Sequence, residues 1–153
     1  GSTGWAAQLS LKDHALALAR FESAAWDIAT EHDGRVVKLI GDEAMVVSPS
    51  AETVCRIALA LCAAVASDPG LPGARAAVGF GDVTARSGDF VGPLVNLVAR
   101  SVKVAAEGSV VVTGDVRRQL GENPPWRLVD AGSPTLRGID KPVALYAIDT
   151  AGG

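Results

Sequence analysis

The stretch Gly88–Arg100, GDFVGPLVNLVAR, decides the fold of this chain because it joins a turn to the start of a helix. Gly92 suits the position just outside a helix, and Pro93 suits the first helical residue, where no backbone donor is needed. The apolar residues that follow recur at helical spacing and predict a buried stripe of Leu94, Val98, Val102 and Ala105. We expect the helix to cover 93–107 and to end at Gly108, which suits a left-handed cap.

The polar residues of this helix predict a binding face. Asn96 and Arg100 are four residues apart, so their side chains lie on one face, one turn from each other. Lys103 and Glu107 continue that face. An amide and a guanidinium stacked in this way, with Asp89 just before the helix, can hold a phosphate ester and a base. A solvated helix face is the alternative for this segment taken alone.

A second stretch, Gly34–Val47 with the sequence GRVVKLIGDEAMVV, predicts a β-hairpin. Its strands are expected at 35–40 and 43–47, around a short turn that begins with glycine, as two-residue hairpin turns often do. Lys38 then lies on the first strand and Asp42 at the tip.

The rest of the chain alternates helices and strands. Helices are expected at 12–31, from 49 or 50 to about 67, and at 115–120; strands are expected within 74–85, at 109–113, and near 126–129 and 143–148. The residues expected to face inward on the first two helices are Leu18, Phe21, Ala25, Ile28, Val54, Ile57, Leu61 and Val65. This alternation indicates an α+β domain, with a mixed sheet and helices on one face.

The composition limits the classes of function. A chain of 153 residues is long enough for one domain with a real core. With 48% hydrophobic residues, 20% charged residues and a net charge of −3, the chain is not a disordered one and has no basic footprint for nucleic acid. No apolar run reaches the length of a membrane span, and no signal peptide is visible.

The two cysteines predict no disulfide and no zinc site. Cys55 and Cys62 are seven residues apart in a helical stretch, which separates them by about 10 Å, too far for a disulfide. We expect them to be small core residues in a reducing, cytoplasmic setting. Neither has the neighbours of a metal site, and His14 and His32 are isolated from other ligand types.

Taken together, the two stretches resemble the catalytic domain of class III nucleotide cyclases. The resemblance lies in G-R-V-V-K-x-I-G-D-x-x-M followed by G-D-F-x-G-x-x-V-N-x-x-A-R. The segments 136–139 (LRGI), 141–143 (KPV) and 145–146 (LY) are similar to that family's closing L-K-G-I-x-x-P-V-x-x-Y. The start, GST at 1–3 followed by WAA at 5–7 and Leu9, looks like the continuation of its D-x-V-G-S-T segment. The resemblance covers nearly all of the chain.

The resemblance implies a ferredoxin-like βαββαβ core with additional C-terminal strands. In the family, the first strand precedes G-S-T and carries one of two metal-binding aspartates. We therefore expect 1–153 to be a single catalytic domain that is N-terminally truncated, with little cyclase activity of its own. A regulatory domain elsewhere in the full-length protein is compatible with this.

The implied activity is conversion of a nucleoside triphosphate to a 3′,5′-cyclic monophosphate and pyrophosphate, by two-metal catalysis at a homodimer interface. Asp42 matches the second metal aspartate, a hard oxygen ligand for Mg²⁺ or Mn²⁺. Arg100 matches the residue that contacts the α-phosphate, and Asn96 the residue that positions the ribose. The phosphate-binding positions match Arg137, where the family usually has lysine, and Ser2 and Thr3 in the loop before the first helix.

The chemistry of the base favours ATP. Adenine presents an amine donor beside a ring-nitrogen acceptor, and guanine reverses both groups on that edge. Lys38 can only donate and ionised Asp89 can only accept, so together they complement adenine and oppose guanine. An adenylate cyclase is therefore preferred to a guanylate cyclase.

One other class of function stays open, and a third is disfavoured. A cyclase-like regulatory or nucleotide-binding module without turnover is favoured by the expected absence of one metal aspartate. A ferredoxin-like nucleic-acid binder lacks the basic and aromatic residues needed for base stacking.

Overall fold

The computed structural model describes residues 11–150. The helices are α1 (Leu11–Glu31), α2 (Ala51–Ala66), α3 (Pro93–Val104) and α4 (Gly114–Leu120). The strands are β1 (Arg35–Ile40), β2 (Glu43–Val47), β3 (Ala76–Val78), β4 (Thr84–Arg86), β5 (Asp89–Val91), β6 (Val110–Thr113), β7 (Arg127–Asp130) and β8 (Leu145–Asp149). No helix within 11–150 is both long and apolar enough to cross a membrane.

The described strands pair in three hydrogen-bonded sets. β1 and β2 form one antiparallel hairpin, and β4 and β5 form another. The other four strands form a mixed sheet in the order β3-β6-β8-β7, in which only the β3–β6 pair is parallel. The domain thus combines helices with a sheet that has both parallel and antiparallel strand pairs. This confirms the α+β class expected from the sequence.

The larger core lies between the four-stranded sheet and helices α2 and α4. Every residue of β6 is buried, which suits the β-branched sequence VVVT of a central strand. Val112 on β6, Val116 on α4 and Cys55 on α2 are completely enclosed. Burial raises the pKa of the Cys55 thiol to about 12, with a smaller contribution from Glu52, so Cys55 is an inert core residue, as predicted.

The smaller core joins α1 to the β1–β2 hairpin. Its buried residues are Ala25 and Ala29 of α1 and Val36 of β1. Ala25 was predicted to face inward, but the larger predicted residues Leu18, Phe21 and Ile28 are only half-buried. The buried contacts of α1 are made by alanines because a small side chain lets the helix backbone lie near the hairpin.

Helix α3 is shorter than predicted. It ends at Val104, and Ala105 is already extended, with φ −70° and ψ 141°. Two guanidinium bonds of 3.3 Å from Arg75 satisfy the carbonyl oxygens of Lys103 and Ala105, which is the role that a glycine cap would otherwise have. Gly108, with φ +82°, lies instead in the turn before β6.

The predicted apolar stripe of α3 is only partly buried. Leu94, Val98 and Val102 are half-buried, and Ala105 is buried beyond the end of the helix. The one buried residue within α3 is Ser101, whose hydroxyl donates to the carbonyl oxygen of Leu97 over 2.7 Å. The helix therefore covers the fold with one side and keeps much of its surface accessible.

The segment before α3, which the sequence predicted to be a turn, is a hairpin. Only Ser87 and Gly88 form the turn between β4 and β5, and both have positive φ, 51° and 80°. Two positive φ values match the twist of the flanking strands. Asp89 is consequently the first residue of β5 and not a turn residue.

Candidate active site

The two predicted base-reading residues contact each other. Lys38 Nζ on β1 donates to Asp89 Oδ2 on β5 over 2.8 Å, although 51 residues separate them. The backbone N–H of Phe90 donates to the other carboxylate oxygen over 2.7 Å. These two bonds, the one from Lys38 first, lower the pKa of Asp89 and keep it ionised at neutral pH.

The pair keeps free capacity for a ligand. An ammonium group has three donors and a carboxylate about four acceptor positions, so one mutual bond leaves others available on both Lys38 and Asp89. Both side chains are a little over one-third exposed, at 39% and 37%. The pair can therefore present a donor and an acceptor side by side to an incoming base.

The hairpin tip presents Asp42 to solvent. Ile40 pairs with Glu43, which leaves Gly41 and Asp42 as a two-residue loop. Gly41 has φ +58° at the first loop position, a conformation that favours glycine there. Asp42 is exposed and has no hydrogen-bond or ion-pair partner within residues 11–150.

Asp42 fits the role of one metal ligand but does not make a metal centre by itself. In the part of the chain that the structure describes, no three His, Cys, Asp or Glu side chains form a group that could hold a metal ion. A carboxylate on a tight, exposed turn is still a suitable hard ligand for Mg²⁺ or Mn²⁺. Of the metal-binding residues that the sequence predicted, the described part of the chain contains Asp42.

Asn96 and Arg100 both lie on helix α3. Gly92 takes φ +135° at the N-cap, and Pro93 follows at the first helical position. Asn96 is exposed and Arg100 half-buried, and neither side chain has a partner within 11–150. The amide and the guanidinium are therefore both available to a ligand.

A close contact fixes where α3 lies. A Cβ atom on Gly79, just after β3, would fall 2.6 Å from Val98 Cγ2 and 2.9 Å from Leu94 Cδ1. Real Cβ atoms do not approach carbon so closely, so the helix rests directly on the backbone of Gly79. Glycine at this position lets α3 pack against the sheet with Asn96 on its open side.

Arg137 lies at the outer corner of a tight turn. The N–H of Ile139 donates to the carbonyl oxygen of Leu136 over 3.1 Å, and Gly138 has φ +79°. Leu136 is buried and anchors the turn, whereas Arg137 is exposed and unpaired in the described part of the chain. The other two predicted phosphate-binding residues, Ser2 and Thr3, lie outside the described residues.

Two contacts at the site were not predicted from the sequence. Lys103 Nζ donates to Glu43 Oε1 over 3.0 Å, and the Arg35 guanidinium carbon lies 5.4 Å from the centre of the Phe90 ring. Lys103 was recognised only as part of a polar helix face. Both contacts join residues more than 50 positions apart, and no local pattern signals such partners.

The chain is similar to several curated and solved proteins. An uncharacterized protein of Mycobacterium tuberculosis is 37% identical over 135 residues, which is 86% of this chain and 34% of that protein. An adenylate cyclase of Streptomyces griseus is 36% identical over 107 residues, 68% of this chain and 27% of that protein. The chain thus spans about a third or less of the length of these relatives. No protein-family model matches the chain.

The fold matches that of solved cyclase structures. A solved adenylate cyclase of Trypanosoma brucei in its monomeric state superposes with a TM-score of 0.82, over 98% of this chain and 84% of that one, at 20% identity. The sequence relatives include proteins named adenylate cyclase, and the solved protein of the same fold is also an adenylate cyclase. The chain belongs to the class III nucleotide cyclase family.

Proposed function

We propose that this chain is an adenylate cyclase domain, which converts ATP to 3′,5′-cyclic AMP and pyrophosphate at a site shared by two copies. The observation that carries the proposal is the ion pair between Lys38 and Asp89, 2.8 Å long and accessible from solvent. A donor beside an acceptor complements the amine and the ring nitrogen of adenine, and this complementarity supports the proposal. On the same edge guanine would leave both groups mismatched, a cost that discriminates strongly.

The reaction forms one phosphorus–oxygen bond and breaks another, and the proton of the ribose 3′-hydroxyl is released to water. The ribose 3′-oxygen attacks the α-phosphorus, the bond from that phosphorus to the bridging oxygen breaks, and pyrophosphate leaves with that oxygen. Arg100 stabilises the negative charge that develops on the α-phosphate oxygens, since a planar guanidinium matches their geometry. Asn96 orients the ribose, and Arg137, with Ser2 and Thr3, holds the terminal phosphates. A divalent cation, with Asp42 as one ligand, would lower the pKa of the 3′-hydroxyl.

A second copy completes the site in this proposal. Three predicted site residues have accessible side chains without a partner within 11–150: Asp42, Asn96 and Arg100. Such side chains can contact a nucleotide bound between two subunits. A cavity of about 340 Å³ lies elsewhere, between the start of α2 and the end of α4, and contains none of these residues. The site elements also carry exposed apolar residues: Ile40, Val91 and Val104. Burial of these side chains against another subunit would remove apolar surface from water.

The test compares ATP with GTP. Turnover is measured on the longest native form of the protein, since this chain spans only about a third of its relatives' length. We expect cyclic AMP to form from ATP with a higher kcat/KM than cyclic GMP from GTP. Lys38→Glu combined with Asp89→Gly should reduce this preference, because the donor and the acceptor are removed together.

A second ion pair provides the matched control. Arg20 Nε lies 2.8 Å from Asp68 Oδ2, away from the site, so Arg20→Gln with Asp68→Asn should leave the ATP preference unchanged. An unchanged ratio in the Lys38 and Asp89 variant would show that this pair does not read the base. Binding of ATP without any turnover would support the nucleotide-binding module instead.

A further inference from the structure

A β-bulge in β1 brings Arg35 and Lys38 to the same face of the strand. Side chains three residues apart on a regular strand point to opposite faces. In the β1–β2 ladder, however, Val36 pairs with Val46 and Lys38 pairs with Met45, so one residue of β1 is extra. Because Arg35 and Lys38 pair with partners two residues apart on β2, both face the same side.

Both side chains use this face to hold β5. Lys38 binds the Asp89 carboxylate, and the Arg35 guanidinium carbon lies 5.4 Å from the centre of the Phe90 ring. Within the described residues, β5 forms backbone ladder bonds only with β4, whose residues are all exposed. The position of β5 relative to β1 therefore depends on side-chain contacts, and these two are prominent among them.

The two contacts are connected through the backbone of Phe90. Its N–H donates to Asp89 Oδ1 over 2.7 Å, so the carboxylate is fixed relative to the Phe90 peptide. Whatever fixes the Phe90 ring also fixes the direction in which the carboxylate points. A cation is attracted to the face of an aromatic ring, so the Arg35 contact favours one position of the short β4–β5 hairpin.

We infer that Arg35 and Phe90 are positioning residues, which set the place of Asp89 for base recognition through the bulge in β1. This inference rests on the proposed function, because the base is the adenine of ATP. Neither residue touches the base. They act through Asp89, and the bulge is what allows one face of β1 to supply both contacts.

The first readout is the pKa of Asp89, which is measured by NMR titration of its carboxyl group. The bond from Lys38 is the largest cause of its lowered pKa. We expect Phe90→Leu and Arg35→Gln to raise this pKa toward its ordinary value, because the bond from Lys38 becomes less populated. Phe90→Leu removes no charge, so a rise in that variant reports the placement of the carboxylate and not a lost cation.

The second readout is the ratio of ATP affinity to GTP affinity. Phe90→Leu and Arg35→Gln should lower this affinity ratio several-fold. The conservative variants Phe90→Tyr and Arg35→Lys should retain most of it. The matched control is Arg117→Gln, which removes a cation 4.9 Å from the Tyr146 ring on the four-stranded sheet. That variant should change neither the pKa of Asp89 nor the affinity ratio.

The two readouts separate the inference from the proposed function. An unchanged pKa of Asp89 in both Phe90→Leu and Arg35→Gln would overturn the positioning role, whatever the nucleotide data show. A raised pKa with an unchanged affinity ratio would overturn its link to base recognition. If the wild-type protein binds neither nucleotide, the proposed function fails, and the pKa of Asp89 still decides whether Arg35 and Phe90 place it.

Discussion

Lys103 Nζ on α3 lies 3.0 Å from Glu43 Oε1 on β2, so the helix that carries Arg100 is tied to the hairpin that carries Asp42. Glu43 directly follows Asp42, and Lys103 lies one turn after Arg100. The contact therefore joins the element that presents Asp42 to the element that presents Arg100, two side chains without a partner within 11–150. Its strength can be measured directly.

Removing this contact should cost little stability. Both side chains are more than half exposed, at 59% and 54%, and exposed ion pairs contribute roughly 0.2–1 kcal/mol. A double-mutant cycle with Lys103→Met and Glu43→Gln should give a coupling energy in that range, decreasing with added salt. The Arg56–Glu52 pair within α2 is the control for an ion pair that joins no separate elements. A coupling energy of zero would mean that the contact does not connect hairpin and helix in solution.

Adding one methyl group at Gly79 should displace α3. The new Cβ would meet Val98 and Leu94 at 2.6 and 2.9 Å, and relieving such overlap costs about 1–3 kcal/mol. Urea unfolding of Gly79→Ala should show this loss, together with reduced turnover because Asn96 and Arg100 move with the helix. Gly114→Ala is the control, since its nearest neighbour is Arg118 Nη1 at 3.5 Å. Equal stability of the two variants would contradict the close packing at Gly79.

The local chemistry of the sequence predicted much of the fold. Gly41 and Asp42 mark the hairpin turn because glycine tolerates a positive φ, and the structure has that turn at that place. The end of α3 was placed too late because the apolar spacing and Gly108 both extended the pattern. The helix is ended by Arg75, a residue 30 positions from Ala105, and a local pattern contains no information about such a partner.

The candidate site shows the same limit. The residue types of Lys38 and Asp89 predicted a donor and an acceptor, but not that they bind each other at 2.8 Å. That contact depends on the bulge in β1 and on the hairpin of β4 and β5, where the sequence pattern predicts only a turn. Ser2 and Thr3 lie outside the described residues, so their roles stay predictions.

Acid should weaken the fold partly through Asp89. Its pKa is lowered in the folded state by Lys38 and by the Phe90 N–H, so the unfolded chain takes up a proton more readily. The stabilisation is present above the ordinary aspartate pKa and is lost as the pH falls through the folded value. The free energy of unfolding of Lys38→Met, measured by urea titration, should therefore decrease less over that acid range than that of the wild type. Identical pH profiles would show that the Lys38–Asp89 bond is not formed in solution.

Two inactive variants should restore each other if the site lies between two copies. In the proposed dimer, Asp42 of one chain and Asn96 of the other serve the same site. Asp42→Ala and Asn96→Ala should each abolish turnover of ATP, because every site in either homodimer loses a needed group. A mixed dimer has one site with both residues intact and one with both lesions, by two-fold symmetry.

The recovery can be predicted from this symmetry. Random exchange makes about half of the dimers mixed, each with one intact site of two, so activity should reach roughly a quarter of the wild-type value. Mixing Asp42→Ala with Asp42→Asn is the control. It should restore no activity, because both variants change the same residue and no site in the mixed dimer keeps Asp42. Subunit exchange is followed independently with two affinity tags. If exchange occurs and the Asp42 and Asn96 variants together stay inactive, Asp42 and Asn96 do not meet at a shared site, and a homodimeric cyclase is the wrong assignment.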